Sequence, residues 1–304
     1  MNGVILGRFM PPHHGHLYLV DFARAMVDRL YVLVCTLSSE PIPGELRFRW
    51  MQELAPSSRV IHITEEIPEA RRDAAGATTI WADTIRQSIG KPIGRVFASE
   101  DYGWDLAYRL DAQFIPVDTG RHNIPVSATE IRNDPFEHWE FIPTPVRPWF
   151  VRHVALVDQS DLARELADAL DTVVAHPYRE FWQVTWNDYG GKRAVKPLSD
   201  GEIRRGALAT TSALARRANR VLLHDLRSVK DLDDLVPETA PAVIVADLDR
   251  QDEVARYFES DQAGRAGRHG ASGPTGQAGR GASPIVISPR QASVTDLLAM
   301  TRTL

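Results

Sequence analysis

The chain has 304 residues, of which 43% are hydrophobic, so it is long enough for two ordinary domains with buried cores. Its formal net charge is -5, with acidic and basic residues interspersed, which argues against nucleic acid or an anionic membrane as a partner. The only cysteine, Cys35, lies in an apolar run, so we expect a buried, unreactive thiol and no intramolecular disulfide.

The start of the chain offers no room for a targeting segment, because Met1 leads directly into the apolar run Val4–Leu6. No apolar run approaches the length of a membrane span. We therefore expect a cytoplasmic protein without a signal peptide and without a membrane partner.

Short apolar runs alternate with amphipathic stretches along the first half of the chain. This alternation predicts an α/β fold with a parallel sheet and helices on both of its faces. Strands are predicted at residues 4–6, 30–35, 59–63, 95–98 and 113–117. Helices are predicted at residues 46–54, 82–89 and 104–110, and a first helix is predicted to begin near His16.

The segment Gly7–His16, with the sequence GRFMPPHHGH, lies between the first predicted strand and the first predicted helix. Free backbone N–H groups and the positive end of the helix dipole would face this loop, where a nucleotide phosphate can bind. His13 and His16 can both donate hydrogen bonds to one phosphate chain, and Gly7 and Gly15 let the backbone approach closely. The alternative is a pair of loop histidines without a functional role.

A second block, Val126–Arg132, has the sequence VSATEIR at a predicted helix start. Ser127 and Glu130 have the spacing of a capping box, which accounts for the serine without any ligand. A cap does not explain Arg132, and a guanidinium at this point can fork onto triphosphate oxygens.

Together these blocks resemble the H-x-G-H nucleotidyltransferases, whose first strand ends in G-x-F-x-P-x-H-x-G-H and whose later Ser/Thr-rich turn ends in arginine. The stretch 133–152, with Trp-Glu-Phe-Ile-Pro at residues 139–143, narrows the resemblance to the NadR-type nicotinamide-nucleotide adenylyltransferases. The resemblance covers residues 1 to about 155. It implies a Rossmann-like parallel-sheet domain that transfers an adenylyl group from ATP to nicotinamide mononucleotide, giving NAD and pyrophosphate, with Mg²⁺ held mainly by the ATP phosphates.

The resemblance also implies roles for individual residues. His13, His16 and Arg132 would be catalytic, with the histidines on the α- and β-phosphates and the arginine on the leaving pyrophosphate. The substrate-binding residues would be Gly7, Arg8, Phe9, Gly15, Trp81, Ser99, Glu100, Arg121, Ser127 and Thr129. No carboxylate cluster in the sequence marks a protein cage for the metal ion.

Several of these residues have a purely structural alternative. Trp81 precedes a predicted helix in a loop rich in alanine and threonine, where its ring would stack on nicotinamide or adenine or else pack against the helix. Arg121 follows Asp118-Thr119-Gly120, which has turn chemistry of its own. Arg47 would hold phosphate or solvate its helix, and solvation is favoured for Arg49.

A second α/β domain is predicted from residue 152, beginning with a strand at 154–157 and a helix at 162–170. In NadR-type proteins this place carries a P-loop kinase domain for ribosylnicotinamide. Here the strand is followed by Asp158-Gln159-Ser160-Asp161, which has no glycine to wrap a phosphate and no lysine to reach it. We therefore expect a degenerate, P-loop-kinase-like domain that lacks Walker A and has lost kinase activity.

Four segments are predicted along the chain. They are a nucleotidyltransferase domain at 1–151, a degenerate kinase-like domain at 152–261, a flexible linker at 262–283, and a strand and helix at 284–304 that pack back on the second domain. The linker is assigned because its composition offers almost no apolar surface for folding. The second domain would pack against the first or form the interface of a homo-oligomer.

Other functions stay open on the sequence. A different H-x-G-H transferase would act on pantetheine phosphate, flavin mononucleotide or a CTP-dependent substrate, and the Trp-Glu-Phe-Ile-Pro block argues against these. A nicotinamide-nucleotide sensor without turnover would not need His13, His16 and Arg132 together. A DNA-binding regulator is less favoured still, because the chain lacks a clustered basic face.

Overall fold

The chain forms two compact units, Met1–Val146 and Arg147–Leu304, and each contains a five-stranded parallel sheet. The computed structural model describes residues 1–65, 75–176, 179–193, 196, 198–235, 241–266, 284–293, 295–297 and 299. The predicted fold class, two successive α/β domains, is confirmed. The division between Val146 and Arg147 falls slightly before the predicted boundary at 151/152.

The first unit alternates strands and helices from its first residues. Its strands are β1 Asn2–Gly7, β2 Arg29–Cys35, β3 Arg59–Ile63, β4 Arg95–Ala98 and β5 Gln113–Pro116. Its helices are α1 His14–Ala25, α2 Gly44–Leu54, α3 Ala75–Ile89, α4 Tyr102–Leu110 and α5 Ala128–Asn133, followed by a 3₁₀ turn at Trp139–Phe141. The strands pair in the order β3-β2-β1-β4-β5, so β1 is central.

Both faces of this first sheet are buried, as its nearly uninterrupted apolar strands require. Along β1, Val4 joins the core cluster that contains Ile85 and Leu106, while Ile5 joins the cluster on the other face with Val20. Because the two faces are covered, the carboxyl ends of the strands form the edge at which ligands bind in such sheets.

The predicted strands of the first unit are confirmed to within two residues at their ends, whereas three helices begin earlier than predicted. Helices α2, α3 and α4 start at Gly44, Ala75 and Tyr102. Apolar periodicity detects only the buried stretch of a helix, and these first turns are rich in small or polar residues. One assignment is therefore wrong: Trp81 lies inside α3 and not in a loop.

The second unit repeats the strand–helix alternation. Its strands are β6 Arg152–Val157, β7 Val174–Ala175, β8 Val221–Leu226, β9 Val243–Val245 and β10 Ile285–Ile287, in the order β10-β9-β6-β8-β7. Its helices are α6 Ser160–Leu170, α7 Arg179–Asp188, α8 Asp200–Ala215 and α9 Leu248–Ala266. Strand β10 pairs in parallel with β9 at the edge of this sheet.

Helix α9 continues to Ala266, so the first five residues of the predicted linker at 262–283 are helical. Residues 267–283 lie outside the described part of the chain. The predicted last helix is helical at 295–297 and 299, and Leu297 is buried in the core of the second unit. None of the described helices is both long and apolar enough to cross a membrane.

Candidate active site

The two histidines of the H-x-G-H element cap helix α1. His13 is the N-cap residue, and its Nδ1 accepts a hydrogen bond from the backbone N–H of Gly15 at 3.1 Å. From the third helical position, His16 accepts the backbone N–H of His13 on its own Nδ1 at 3.3 Å. This reciprocal capping box satisfies two backbone donors at the start of the helix and fixes both rings.

Both imidazoles are neutral at physiological pH. Since each Nδ1 accepts a backbone N–H, the hydrogen-bond network assigns the ring proton to Nε2. The pKa of His13 is lowered to about 4, mainly by burial and to a smaller extent by the charge of Arg121. Burial likewise lowers the pKa of His16 well below its ordinary value, with smaller effects from His13 and Arg121. Each ring therefore presents an uncharged Nε2–H donor.

The histidine rings pack against each other and against Phe9. The ring centroids of His13 and His16 are 3.8 Å apart, and Phe9 meets His16 edge-on at 4.9 Å. Phe9 is almost fully buried and has a φ of 49°, in the left-handed region that a bulky residue adopts only where its surroundings fix it. The sharp turn after β1 thus packs the Phe9 ring against His16.

A cavity of about 520 Å³ opens at the carboxyl ends of the first sheet. This volume lies in the range of sites for small-molecule ligands. Every residue that the sequence analysis assigned to the site lines it: His13, His16, Arg132, Gly7, Arg8, Phe9, Gly15, Trp81, Ser99, Glu100, Arg121, Ser127 and Thr129. The parallel sheet therefore brings together segments that are far apart in the chain.

Arg132 reaches the cavity from the short helix α5. Its Nη1 donates to the carbonyl oxygen of Met10, and its Nη2 donates to Thr129 Oγ1 at 3.0 Å. The predicted capping box is confirmed, because Ser127 Oγ accepts from Glu130 N at 3.2 Å and Glu130 accepts from Ser127 N at 2.7 Å. Arg132 is thus fixed to the turn that carries the histidines, while the Ser127 hydroxyl is used in the cap.

Arg8 lies in the cavity wall beside a buried ion-pair network that the sequence did not predict. Glu40 is 5% exposed, with Oε1 3.3 Å from Arg8 Nε and Oε2 accepting from Arg47. Arg47 is fully buried and also donates to the carbonyl oxygens of Ile42 at 3.0 Å, of Cys35 at 3.2 Å and of Arg8. Arg47 therefore links the ends of β1 and β2 by hydrogen bonds. This structural role differs from both predicted alternatives, phosphate binding and solvation of its helix.

Helix α3 and the end of β4 supply another part of the wall. Trp81 packs against the core of the first unit and also lines the cavity, so its packing does not remove the ring from the candidate site. Ser99 and Glu100 follow β4 directly, and Glu100 is exposed.

Some wall residues were missed by the sequence analysis. Thr36 follows β2, Glu65 lies two residues beyond β3, and Tyr102 begins α4. The Tyr102 hydroxyl donates to the carbonyl oxygen of Leu6 at 2.8 Å, and burial raises its pKa. The rule that ligands bind at the carboxyl ends of parallel strands would have identified Thr36 and Glu65 from their positions alone.

Asp118 and Arg121 belong to one loop after β5 and both line the cavity. The turn chemistry predicted at 118–120 is confirmed, since the backbone N–H of Arg121 donates to the carbonyl oxygen of Asp118 at 2.9 Å. Both residues have left-handed backbones, with φ values of 48° and 52°. Arg121 is therefore both a turn residue and a cavity residue.

The candidate site offers neither a reactive thiol nor a converging set of metal ligands in the described part of the chain. Cys35 is buried at the end of β2, and burial raises the pKa of its thiol. No three histidine, cysteine, aspartate or glutamate side chains among the described residues come together in a way that could hold a metal ion.

At the carboxyl edge of the second sheet, only Asp158 and Gln159 separate β6 from α6. Asp158 has a φ of 58°, and its carboxylate lies 3.0 Å from Nη2 of Arg250. The Gln159 side chain donates to Asp247 at 2.9 Å. The connection is thus very short and is held by side chains of the same unit.

The amino-acid sequence is similar to a known family model and to known proteins. Residues 4–134 match the family model described as cytidylyltransferase-like. The trifunctional NAD biosynthesis/regulator proteins NadR of Escherichia coli (strain K12) and Salmonella typhimurium (strain LT2) are each 26% identical over 246 residues. The match covers 73% of this chain and 59% of each relative, so the chain spans less than two thirds of their length.

Two solved structures share the fold over most of the chain. The NadR protein in complex with NAD and AMP-PNP superposes with a TM-score of 0.64 at 18% identity, covering 86% of this chain and 88% of that chain. The NadR protein in complex with NR has a TM-score of 0.61 at 16% identity, covering 88% and 86%. Residues 4–134 therefore match a cytidylyltransferase-like domain within the first unit, and the chain is similar to NadR proteins in sequence and shares their fold.

Proposed function

We propose that the first unit transfers an adenylyl group from ATP to nicotinamide mononucleotide, giving NAD and pyrophosphate. The observation that carries the proposal is the pair of uncharged Nε2–H donors on His13 and His16, fixed by their reciprocal cap in the wall of the cavity that Arg132 also lines. The relatives support the choice of substrates, because they are named NAD biosynthesis proteins and one NadR structure holds NAD with AMP-PNP.

The proposed step is an in-line displacement at the α-phosphorus of ATP. A phosphate oxygen of the mononucleotide forms a new bond to this phosphorus while the bond to the oxygen bridging the α- and β-phosphates breaks. Pyrophosphate leaves with the electron pair. Because the attacking oxygen belongs to the substrate, no protein nucleophile is required. Catalysis then consists of positioning and charge stabilisation, and orientation alone can supply on the order of 7–11 kcal/mol.

In this proposal His13 and His16 donate their Nε2–H groups to the α- and β-phosphates. With the pKa of His13 lowered to about 4, the ring keeps this donor and stays uncharged throughout the physiological range. Arg132 binds the departing pyrophosphate. Its guanidinium is already fixed by Met10 and Thr129, so little side-chain freedom is lost when the triphosphate binds.

The remaining wall residues bind the two nucleotides. Trp81 offers a flat ring to nicotinamide or adenine, and Arg121 offers a guanidinium to the triphosphate. The full set proposed for substrate binding is Gly7, Arg8, Phe9, Gly15, Trp81, Ser99, Glu100, Arg121, Ser127 and Thr129. ATP is bound as its Mg²⁺ complex, in which phosphate oxygens and water hold the ion.

We further propose that the second unit does not phosphorylate ribosylnicotinamide. A Walker A element, G-x-x-x-x-G-K-[ST], needs a run of residues whose backbone N–H groups surround a phosphate. The β6–α6 connection supplies only Asp158 and Gln159, and the carboxylates of Asp158 and Asp247 lie at the same edge. These carboxylates offer a phosphate no hydrogen-bond donor, and Arg250 is already paired with Asp158.

The test is pyrophosphate release by the full chain with Mg²⁺, comparing ATP with CTP and offering nicotinamide mononucleotide, pantetheine phosphate or flavin mononucleotide as acceptor. ADP formation from ATP and nicotinamide riboside is measured in parallel. We expect release only with ATP and nicotinamide mononucleotide, its loss in His16→Ala, and no ADP from the riboside.

Each other outcome contradicts a specific part of the proposal. Release with a different acceptor or with CTP assigns another substrate to the same site. Nucleotide binding without any release overturns the enzyme and leaves a sensor. ADP formed from the riboside shows that the second unit binds phosphate without a Walker A loop.

A further inference from the structure

The loop of residues 118–124 approaches the histidine end of the cavity. Asp118, Arg121 and Ile124 all line the cavity together with His13. The loop lies close to the start of α1, which carries His13 and Gly15. A Cβ added to Gly15 would be 3.7 Å from Cγ2 of Ile124. What determines the conformation of this loop therefore also determines part of the phosphate-binding wall.

The carboxylate of Asp118 is the hydrogen-bond acceptor around which the loop folds. Its Oδ1 accepts the backbone N–H of His122 at 2.8 Å and that of Asn123 at 3.2 Å. Its Oδ2 accepts the backbone N–H of Ile124 at 3.2 Å. The Asp118 carbonyl oxygen accepts the backbone N–H of Arg121. Asp118 thus accepts hydrogen bonds from the backbone N–H of Arg121 and from those of the three residues that follow it.

The backbone of Arg121 needs this support. Its φ of 52° lies in the left-handed region, which an arginine adopts only when neighbouring interactions hold it there. Asp118 has a similar φ of 48°, but aspartate is one of the residues that tolerate this region. The strained residue is therefore the arginine, and the hydrogen bonds that hold its segment come from the aspartate.

Arg121 acts electrostatically on the histidine pair. Its positive charge contributes to lowering the pKa of both His13 and His16, after the larger effect of burial. A guanidinium in the same cavity wall as the two histidines adds the positive charge that a triphosphate requires and that the neutral rings do not supply. Moving the loop would take this charge away from the histidines.

We propose that Asp118 is a positioning residue whose carboxylate holds the loop 118–124 so that Arg121 faces the phosphates bound by His13 and His16. This inference rests on the proposed adenylyl transfer. In this proposal Asp118 acts through the loop and not through contact with substrate or metal, since both of its carboxylate oxygens accept backbone N–H groups of the loop. Its effect on turnover passes through Arg121.

The test is a double-mutant cycle on kcat and KM with nicotinamide mononucleotide and Mg²⁺–ATP. Asp118→Gly removes the carboxylate but leaves the left-handed backbone unstrained, and Asp118→Asn keeps one acceptor oxygen. We expect Asp118→Gly and Arg121→Ala each to lower kcat by about tenfold to a hundredfold, as a misplaced charge at a reacting centre does. The double variant should be no slower than Arg121→Ala alone, and Asp118→Asn should retain an intermediate rate.

Asp111→Gly is the matched control, because Asp111 is exposed, has a φ of 52° in the same unit and lies outside the cavity wall. It should leave kcat and KM unchanged. Multiplicative losses in the double variant would overturn the proposal, and so would a raised Mg²⁺ requirement in Asp118→Asn, which would make Asp118 a metal ligand. If wild type shows no turnover, the proposed function fails, and the same cycle is then measured on the Kd for AMP-PNP. Losses of affinity that multiply in the double variant would again overturn the positioning role.

Discussion

The Nδ1 atom of His16 accepts the backbone N–H of His13 at 3.3 Å, so one cavity histidine fixes the backbone of the other. His13 in turn caps Gly15. The start of α1 and the orientation of both rings are therefore one structural unit, and replacing either ring changes the helix start together with the cavity wall.

Replacing His16 should affect activity and stability separately. His16→Ala removes a phosphate donor and a cap, so we expect kcat to fall by about 10²–10³-fold and the free energy of unfolding by roughly 1 kcal/mol. His16→Gln restores an acceptor at the third helical position and should recover the melting temperature while kcat stays low. His14→Ala, at an exposed neighbour, is the control. Full activity in His16→Gln would show that His16 serves only as a cap.

The pH profile should lack an acid limb from the cavity histidines near their ordinary pKa of 6.5. Because burial lowers the pKa of His13 to about 4 and that of His16 well below its ordinary value, protonation begins only at lower pH. We therefore expect the profile of kcat/KM from pH 8 to pH 5 to have the same shape in wild type and in His16→Gln. An inflection near pH 6.5 that disappears in this variant would mean that an imidazolium takes part.

The second unit should lose stability in acid through a buried histidine. Nε2 of His224 lies 2.8 Å from Nδ1 of His153, and burial lowers the pKa of His224 to about 3. As the pH falls below 6.5, His224 takes up a proton in the unfolded chain but stays neutral in the folded chain. The contribution of this residue to the free energy of unfolding is therefore complete above pH 6.5 and is lost as the pH falls towards 3.

Urea unfolding at pH 7, 6 and 5 measures this effect. The free energy of unfolding should fall by up to about 1.4 kcal/mol per pH unit in this window from His224 alone. His224→Gln should flatten the dependence, whereas His122→Gln, at an exposed loop position, should keep it. An unchanged slope in His224→Gln would contradict the assignment.

Two arginines on helix α2 should differ sharply in their contribution to stability. Arg47→Ala removes the fully buried partner of Glu40, leaves the carboxylate with Arg8, and frees three carbonyl oxygens. We therefore expect a loss of about 3–5 kcal/mol in the free energy of unfolding. Arg49→Ala breaks only an exposed pair with Glu45 and should cost about 0–1 kcal/mol. Guanidinium chloride unfolding compares the two variants. Equal losses would mean that the buried network contributes no more than a surface ion pair.

The sequence predicted which residues line the cavity better than it predicted the physical state of their side chains. His13, His16 and Arg132 stand in a recognisable motif, and the parallel sheet dictates that their segments meet. The tautomers of the His13 and His16 rings follow from their reciprocal cap, which the residue pattern does not predict. Arg47 was ambiguous because its burial depends on carbonyl oxygens from three separate segments. Trp81 was misplaced because the first turns of α3 carry no apolar periodicity.

The short connection between β6 and α6 constrains how the second unit can change over evolutionary time. Point substitutions could turn Asp158 or Gln159 into glycine, but they cannot lengthen a turn of two residues into a phosphate-wrapping loop. Only an insertion could do so, and it would also have to break the contacts of Asp158 with Arg250 and of Gln159 with Asp247. The β6–α6 connection therefore differs from a P-loop in chain length, a difference that stepwise replacement of side chains does not remove.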